Sequence, residues 1–176
     1  MTPELPDGSF EVIYADPPWT YHRQSEPSRR IENHYPTMSL DEIKALDVPA
    51  ADDAVLYLWS TAPHLSEAVE VVEEWGFEYK TCAVWDKMKK GMGFWFRINH
   101  ELLLVGQRGD FTAPEPENRR DSIFESPREG HSEKPDKVRA HIEQAHPDAR
   151  KLEMFARDGM VGWELWGNES PTSKQS

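Results

Sequence analysis

The chain reads as an α/β protein with a mostly parallel central sheet and helices on both faces. Three observations predict this. Short apolar runs of strand length recur along the 176 residues, and segments with helical apolar spacing separate them. Residues 54–60 (Ala-Val-Leu-Tyr-Leu-Trp-Ser) are apolar at successive positions, as strands covered on both faces are. The segments with unusual chemistry follow the carboxyl ends of such runs, where open α/β sheets bind their ligands.

In chain order, residues 10–15 form the first predicted strand. Ser39-Leu40-Asp41-Glu42 is a capping box that opens a short helix through Leu46. After the 54–60 strand, Pro63 starts a helix over 64–75. Leu65, Ala68, Val69, Val72 and Trp75 lie on one stripe of it, and Gly76 follows as its cap. Residues 77–85 and 100–106 are two further strands, 122–125 is a short edge strand, and 109–120 is a Pro- and Glu-rich loop. Ser132 is expected to cap a helix with Pro135 in its first turn, running to about His146. Residues 151–156 and 162–167 complete the strands, and 170–176 reads as a tail. One domain is expected over 1–176, with its core at about 10–169.

Bulk properties narrow the class. Hydrophobic content of 38%, aromatic content of 11% and seven Trp suit a folded protein. No apolar run approaches membrane-spanning length, and the first residues show neither a basic segment nor an apolar signal core, so a cytoplasmic protein is expected. A single cysteine, Cys82, rules out an intramolecular disulfide and a cysteine-built zinc site. His34, His100 and His131 show no metal-ligand spacing, so no metal is expected. The net charge of −12 disfavours indiscriminate polyanion binding, so any nucleic-acid surface must concentrate its cations locally.

Asp16-Pro17-Pro18-Trp19, at the end of the first strand, is the most informative stretch. Two prolines fix φ twice and remove two backbone donors, which leaves the adjoining carbonyls free. The result is a rigid turn presenting a carboxylate, free carbonyls and a flat ring, suited to a planar base with an amino group. Residues 20–37 lack apolar periodicity and read as a lid beside it. A second loop, 86–97, holds Lys87, Lys89, Lys90 and Arg97 interleaved with Phe94, Trp95 and Phe96. It is the densest basic segment of the chain, and cations mixed with stacking rings are what splayed nucleotides bind. Arg157-Asp158-Gly159 is a third segment placed at the strand ends. No G-x-G-x-x-G is present, so the standard dinucleotide fingerprint is absent.

Taken together and in order, these pieces resemble a known family. They are Ala-Asp-Pro-Pro-Trp at 15–19, His-Tyr-Pro-Thr-Met at 34–38, Leu-Tyr-Leu-Trp-Ser at 56–60, Val-Trp-Asp-Lys at 84–87 and His-Glu-Leu-Leu-Leu-Val-Gly at 100–106. His-Ser-Glu-Lys-Pro at 131–135, Lys-Leu-Glu-Met-Phe-Ala-Arg at 151–157 and Trp-Gly-Asn-Glu at 166–169 follow. The chain is similar to the adenine-N6 methyltransferases typified by the MT-A, or seventy-kilodalton, subunit of the eukaryotic mRNA methyltransferase, with their bacterial and phage members.

The resemblance implies a Rossmann-like methyltransferase fold, permuted so that the catalytic turn precedes the cofactor strands, with S-adenosylmethionine as methyl donor. It implies catalytic roles for Asp16, Pro17, Pro18 and Trp19. Donor binding is implied for Asp16, Lys134, Phe155, Arg157, Asn168 and Glu169, with His100-Glu101 as support. Nucleic acid is expected to meet Arg23, Arg29, Arg30 and Tyr35 of the first loop and Lys87, Lys89, Lys90, Trp95 and Arg97 of the second. By family analogy, Asp at the first motif position goes with adenine, where Ser goes with cytosine N4. Only fifteen residues precede the turn, so an upstream strand that cradles the donor's adenine in larger relatives is expected to be absent. A homodimer or an accessory subunit is the expected remedy. DNA is the expected substrate. RNA, a non-catalytic partner subunit and a small-molecule amino methyltransferase are the alternatives.

Overall fold

The computed structural model describes residues 3–19, 38–128 and 133–167. Seven strands form one sheet: β1 (Phe10–Ala15), β2 (Ala50–Ser60), β3 (Glu78–Asp86), β4 (His100–Arg108), β5 (Ile123–Glu125), β6 (Lys151–Met154) and β7 (Glu164–Trp166), in the order β5-β3-β4-β2-β1-β6-β7. Every neighbouring pair is parallel except those made by β4, which runs antiparallel to both β2 and β3. Chain connectivity explains this strand. No helix lies between β3 and β4, and a parallel pair would need a crossover to bring the chain back.

The helices are α1 (Leu40–Lys44), α2 (Leu65–Glu74) and α3 (Asp136–Ala145). The capping box of α1 forms as its sequence requires: Ser39 Oγ accepts from Glu42 N–H at 3.1 Å and Glu42 accepts from Ser39 N–H at 3.4 Å. Pro135, not Ser132, is the N-cap of α3, so the helix starts three residues later than expected and Pro135 lies outside its first turn.

Strand alternation sends side chains to two separate cores. Ile13, Ala15, Leu56, Leu58, Leu104, Leu152 and Met154 pack under α1 and α2 with Ile43, Val71 and Val72. Val12, Tyr14, Tyr57, Trp59, Trp85 and Leu103 pack under α3 with Val138 and Ile142. The helices therefore cover both faces. No helix among the described residues is long and apolar enough to cross a membrane.

The direction of β4 matters for chemistry. Six parallel strands, β1, β2, β3, β5, β6 and β7, end at one edge of the sheet, and β4 begins there. Trp85 of β3 pairs with Glu101, and Asp86 pairs with His100. The carboxyl-end edge therefore gains the first two residues of β4 in addition to the turns that follow the parallel strands.

Candidate active site

Asp16 is the first residue past β1. Its carboxylate stands 3.7 Å from Lys134 Nζ, and 31% of its side chain is exposed. Lys134, just before α3, donates to both oxygens of Glu101 at 3.1 and 3.2 Å. Lys87, just past β3, reaches Glu101 from the other side at 3.3 Å. Two cations thus flank one carboxylate, and one of the two also faces Asp16. The floor is aromatic: Lys134 Nζ lies 5.4 Å from the Trp59 ring centre and Lys87 Nζ 5.6 Å from that of Trp85, both within cation–π range.

Burial pushes the Asp16 carboxyl above the ordinary carboxylate range. Lys134 pulls it down, Glu101 pushes it up and Arg157 pulls it down. A carboxylate poised by opposing groups at a strand end is characteristic of a working site.

Beside Asp16 lies a cavity of about 280 Å³ lined by Tyr14, Trp85, Lys134, Glu153, Phe155 and Arg157 among others. Its deepest charge is Glu153, inside β6, whose carboxyl burial pushes upward. Arg139 of α3 grips it through Nε at 2.9 Å and Nη2 at 2.6 Å, and a further Nη2 contact reaches Asp158 at 3.1 Å. Phe155, at the end of β6, has φ 61°, a left-handed conformation that a bulky side chain rarely adopts. Its ring meets Trp166 edge-on at 5.1 Å. Gly167 permits the close approach of β7 to this bend: a Cβ there would lie 2.8 Å from the Ala156 nitrogen and oxygen.

The cavity offers groups of both signs and one ring face. Glu153 and Asp16 supply acceptors for cationic or hydroxyl groups, Lys134 and Arg157 supply cations for a carboxylate, and Phe155 supplies a ring face.

The turn itself differs from its expected form in three ways. The Pro17 carbonyl is not free, because it accepts from Trp19 N–H at 2.9 Å, leaving one lone pair available. The Pro18 carbonyl accepts from Met38 N–H at 3.3 Å. The Trp19 ring is 9% exposed, stacks on His64 at 5.8 Å and donates Nε1–H to the Trp59 carbonyl at 3.2 Å. It anchors the turn to β2 and is not presented to solvent. Proline rigidity was legible in the letters; the contacts from β2 and Met38 were not.

Of the other expected residues, Lys134, Phe155 and Arg157 line the cavity with Asp16. Lys87 belongs to the Glu101 network, whereas Lys89, Lys90, Trp95 and Arg97 stand exposed on the loop beyond it. Arg23, Arg29, Arg30, Tyr35, Asn168 and Glu169 lie outside the described residues, as do the whole predicted lid (20–37), His34, His131 and Ser132. Glu153 and Arg139 went unnoticed in the sequence. The available signal was a carboxylate inside the short apolar run Leu152-Glu153-Met154, which a buried strand tolerates only with a partner.

An α/β sheet with one reversed strand, a carboxylate-Pro-Pro-aromatic turn at a parallel strand's end and an adjoining cavity of mixed charge define an α/β protein with its site at the carboxyl-end edge. The MT-A70 family profile matches residues 10–169. The chain belongs to the MT-A70 family. It is 38% identical to the type II methyltransferase M.MunI of Mycoplasma sp over 192 residues, an alignment covering 98% of this chain and 82% of that protein. It is 34% identical to an N(6)-adenosine-methyltransferase MT-A70-like protein of Arabidopsis thaliana and 32% identical to the human N(6)-adenosine-methyltransferase catalytic subunit METTL3. Both alignments cover 92% of this chain, but only 24% and 28% of those longer proteins.

Proposed function

We propose that this methyltransferase uses S-adenosylmethionine to methylate the N6 amine of adenine in DNA. The observation that carries this reading is the Asp16 carboxylate, held at the end of β1 by the Lys134–Glu101 pair and opening onto the mixed-charge cavity. Adenine N6 is a weak nucleophile because its lone pair is delocalised into the ring. Asp16 accepts an N–H of that amine, and the remaining lone pair of the Pro17 carbonyl is a second acceptor. Two such acceptors favour a pyramidal nitrogen and stabilise the positive charge that develops on it.

The donor supplies an electrophilic methyl on a sulfonium and leaves as a neutral thioether. As the N6–methyl bond forms, N6 loses one proton, and Asp16, which accepts an N–H of the amine, is the base that takes it or passes it to water. Lys134 and Arg157 are the groups for the donor's carboxylate, Glu153 is an acceptor for hydroxyls, and Phe155 packs on a ring. Pro17 and Pro18 keep the turn rigid, and Trp19 ties it to β2, so positioning carries much of the rate. Asn168 and Glu169 belong to the same donor site by resemblance. Arg23, Arg29, Arg30 and Tyr35 belong in the same way to the nucleic-acid surface, with Lys89, Lys90, Trp95 and Arg97.

DNA is favoured because the bacterial type II methyltransferase M.MunI matches over most of both lengths. The adenosine in the names of the plant and human relatives favours RNA as the second reading. A tritiated methyl-donor assay on DNA and RNA side by side, followed by nucleoside mass spectrometry, separates them. Labelled N6-methyldeoxyadenosine is the expected product. Label confined to RNA, or found on another base, overturns the DNA reading.

A further inference from the structure

Three neighbouring rings stand out of the surface. Phe94, Trp95 and Phe96 are 99%, 95% and 84% exposed. Trp95 is singular: each of the other tryptophans is buried and donates its indole N–H to a protein oxygen, as Trp59 does to Tyr14 and Trp85 to Ser126. Aromatic surface held in water this way marks a contact site.

The loop that carries the rings is braced. Lys87 N–H donates to the Asn99 carbonyl at 2.8 Å, Gly91 N–H to Ile98 at 2.9 Å and Ile98 N–H to Met92 at 3.4 Å. Arg97 Nη1 donates to the Gly93 carbonyl at 3.3 Å, closing a five-residue tip. A Cβ on Gly91 would strike the Ile98 carbonyl, and one on Gly93 the Phe96 carbonyl, so both glycines serve the close backbone approach. The rings are therefore presented by a fixed backbone.

The root of this loop is the active site, since Lys87 pairs with Glu101, which holds Lys134 against Asp16. Lys89, Lys90 and Arg97 are exposed around the tip of a protein whose net charge is −12. A polyanion is thus the complementary occupant. Asp16 opens onto the cavity and is only partly exposed, and the Trp19 ring is committed to His64 and Trp59, so a base reaches Asp16 after leaving its stack, and Trp19 is not free to fill the gap.

Resting on the DNA reading above, we infer that the Phe94-Trp95-Phe96 tip is a wedge: it enters the duplex stack beside the target adenine and holds that adenine extruded. Apolar side chains inserted between base steps are a general means of opening a duplex.

The test uses the full chain and an oligonucleotide duplex carrying a site mapped by the labelling assay. Its partner duplex places an abasic site opposite the target adenine, which lowers the cost of extrusion. The triple variant F94A/W95A/F96A should keep the melting temperature of the unmodified protein. It should lose about ten- to hundredfold in kcat/KM on the paired duplex, and recover to within about threefold of the unmodified enzyme on the abasic duplex. With 2-aminopurine at the target position, the unmodified protein should raise its fluorescence and the variant should not. Equal loss on both duplexes, or no loss on either, overturns the wedge. So does a dimer of the unmodified protein that the substitutions convert to monomer, since the tip would then be a self-interface. If the unmodified enzyme labels neither duplex, the DNA reading is overturned and the wedge with it.

Discussion

Ile13 and Ala15 point to one face of the sheet, Val12 and Tyr14 to the other, and the two faces that result differ in kind. Under α1 and α2 the strands contribute mainly Ile13, Leu56, Leu58, Leu104, Leu152 and Met154, side chains without a polar atom except for a thioether, and Trp166 at the sheet's end is the exception. Under α3 they contribute Tyr14, Tyr57, Trp59 and Trp85, each a ring with one polar handle. Those handles are used. Trp59 Nε1 donates to Tyr14 at 2.7 Å, the Tyr57 hydroxyl meets His146 Nε2 at 2.8 Å, and Trp85 Nε1 donates to the Ser126 carbonyl at 2.9 Å. Burial raises the Tyr14 and Tyr57 phenols, so both stay neutral. One face is a packing surface, and the other is the back wall of the site, able to hold Glu153, Arg139 and Lys134 in mostly apolar surroundings.

The contrast breaks most sharply at Asp16. Asp16→Asn keeps the shape of the turn and removes the charge that the amine needs. Methyl transfer is expected to drop by about 10²–10³-fold or more. The fold should hold or gain stability, because burial disfavours the ionised carboxylate in the folded state. Initial-rate methylation and thermal melting on the same preparation check both halves. A fall in activity that tracks a fall in melting temperature would return Asp16 to a structural role.

The faces should also answer truncation differently. Leu152→Ala, on the packing face, removes a fully buried side chain and should cost about 2–5 kcal/mol. Arg139→Met, on the other face, strands the Glu153 carboxylate and should cost about 3–5 kcal/mol. The discriminating variant is the pair. R139M/E153M should recover most of that stability while losing donor affinity, whereas no second substitution at a polar partner rescues Leu152→Ala. Denaturant titration for stability and isothermal titration with the donor for affinity separate the two. A double variant as unstable as Arg139→Met alone would mean the pair contributes mainly packing.

The same contrast explains what the sequence showed. Much of the packing face was legible, because the apolar runs and the capping box at Ser39 follow from local physics, but the stripe on residues 64–75 was only partly right: Ala68, Val72 and Trp75 are buried, whereas Leu65 is exposed and Val71 is buried in its stead. Lys134, Phe155 and Arg157, named through the resemblance, line one cavity with Asp16. Glu101 was named as support for the site, but the direction of β4, which brings it there, was not read from the sequence. The missing helix between residues 86 and 100 already demanded a reversed strand, which would have brought Glu101 to the carboxyl-end edge. The commitment of the Trp19 ring and the pairing of Arg139 with Glu153 were not legible. Each is a contact between residues far apart in the chain, and no local periodicity encodes it.

The smallest expected effect is a pH dependence that belongs to the α3 face. Burial, with Lys151 and His141 nearby, holds the His146 ring down at about 4. The folded state keeps it neutral where the unfolded chain, near 6.5, takes up a proton. As pH falls from about 6.5 to about 4 the unfolded state therefore binds more protons at this group, and stability drops by at most about 3 kcal/mol. Asp16 and Glu153 act in the opposite sense. Their raised carboxyls are protonated in the folded state at a pH where the unfolded chain is still ionised, so acid favours folding through them. The measured acid limb should thus be shallower than His146 alone predicts. His146→Phe should remove the His146 contribution and leave the protein more stable at pH 4.5 than the unmodified chain, measured relative to each protein's own stability at pH 7. Urea titrations at the two pH values check this. An unchanged pH dependence in His146→Phe would mean that the ring is not neutral beside Tyr57.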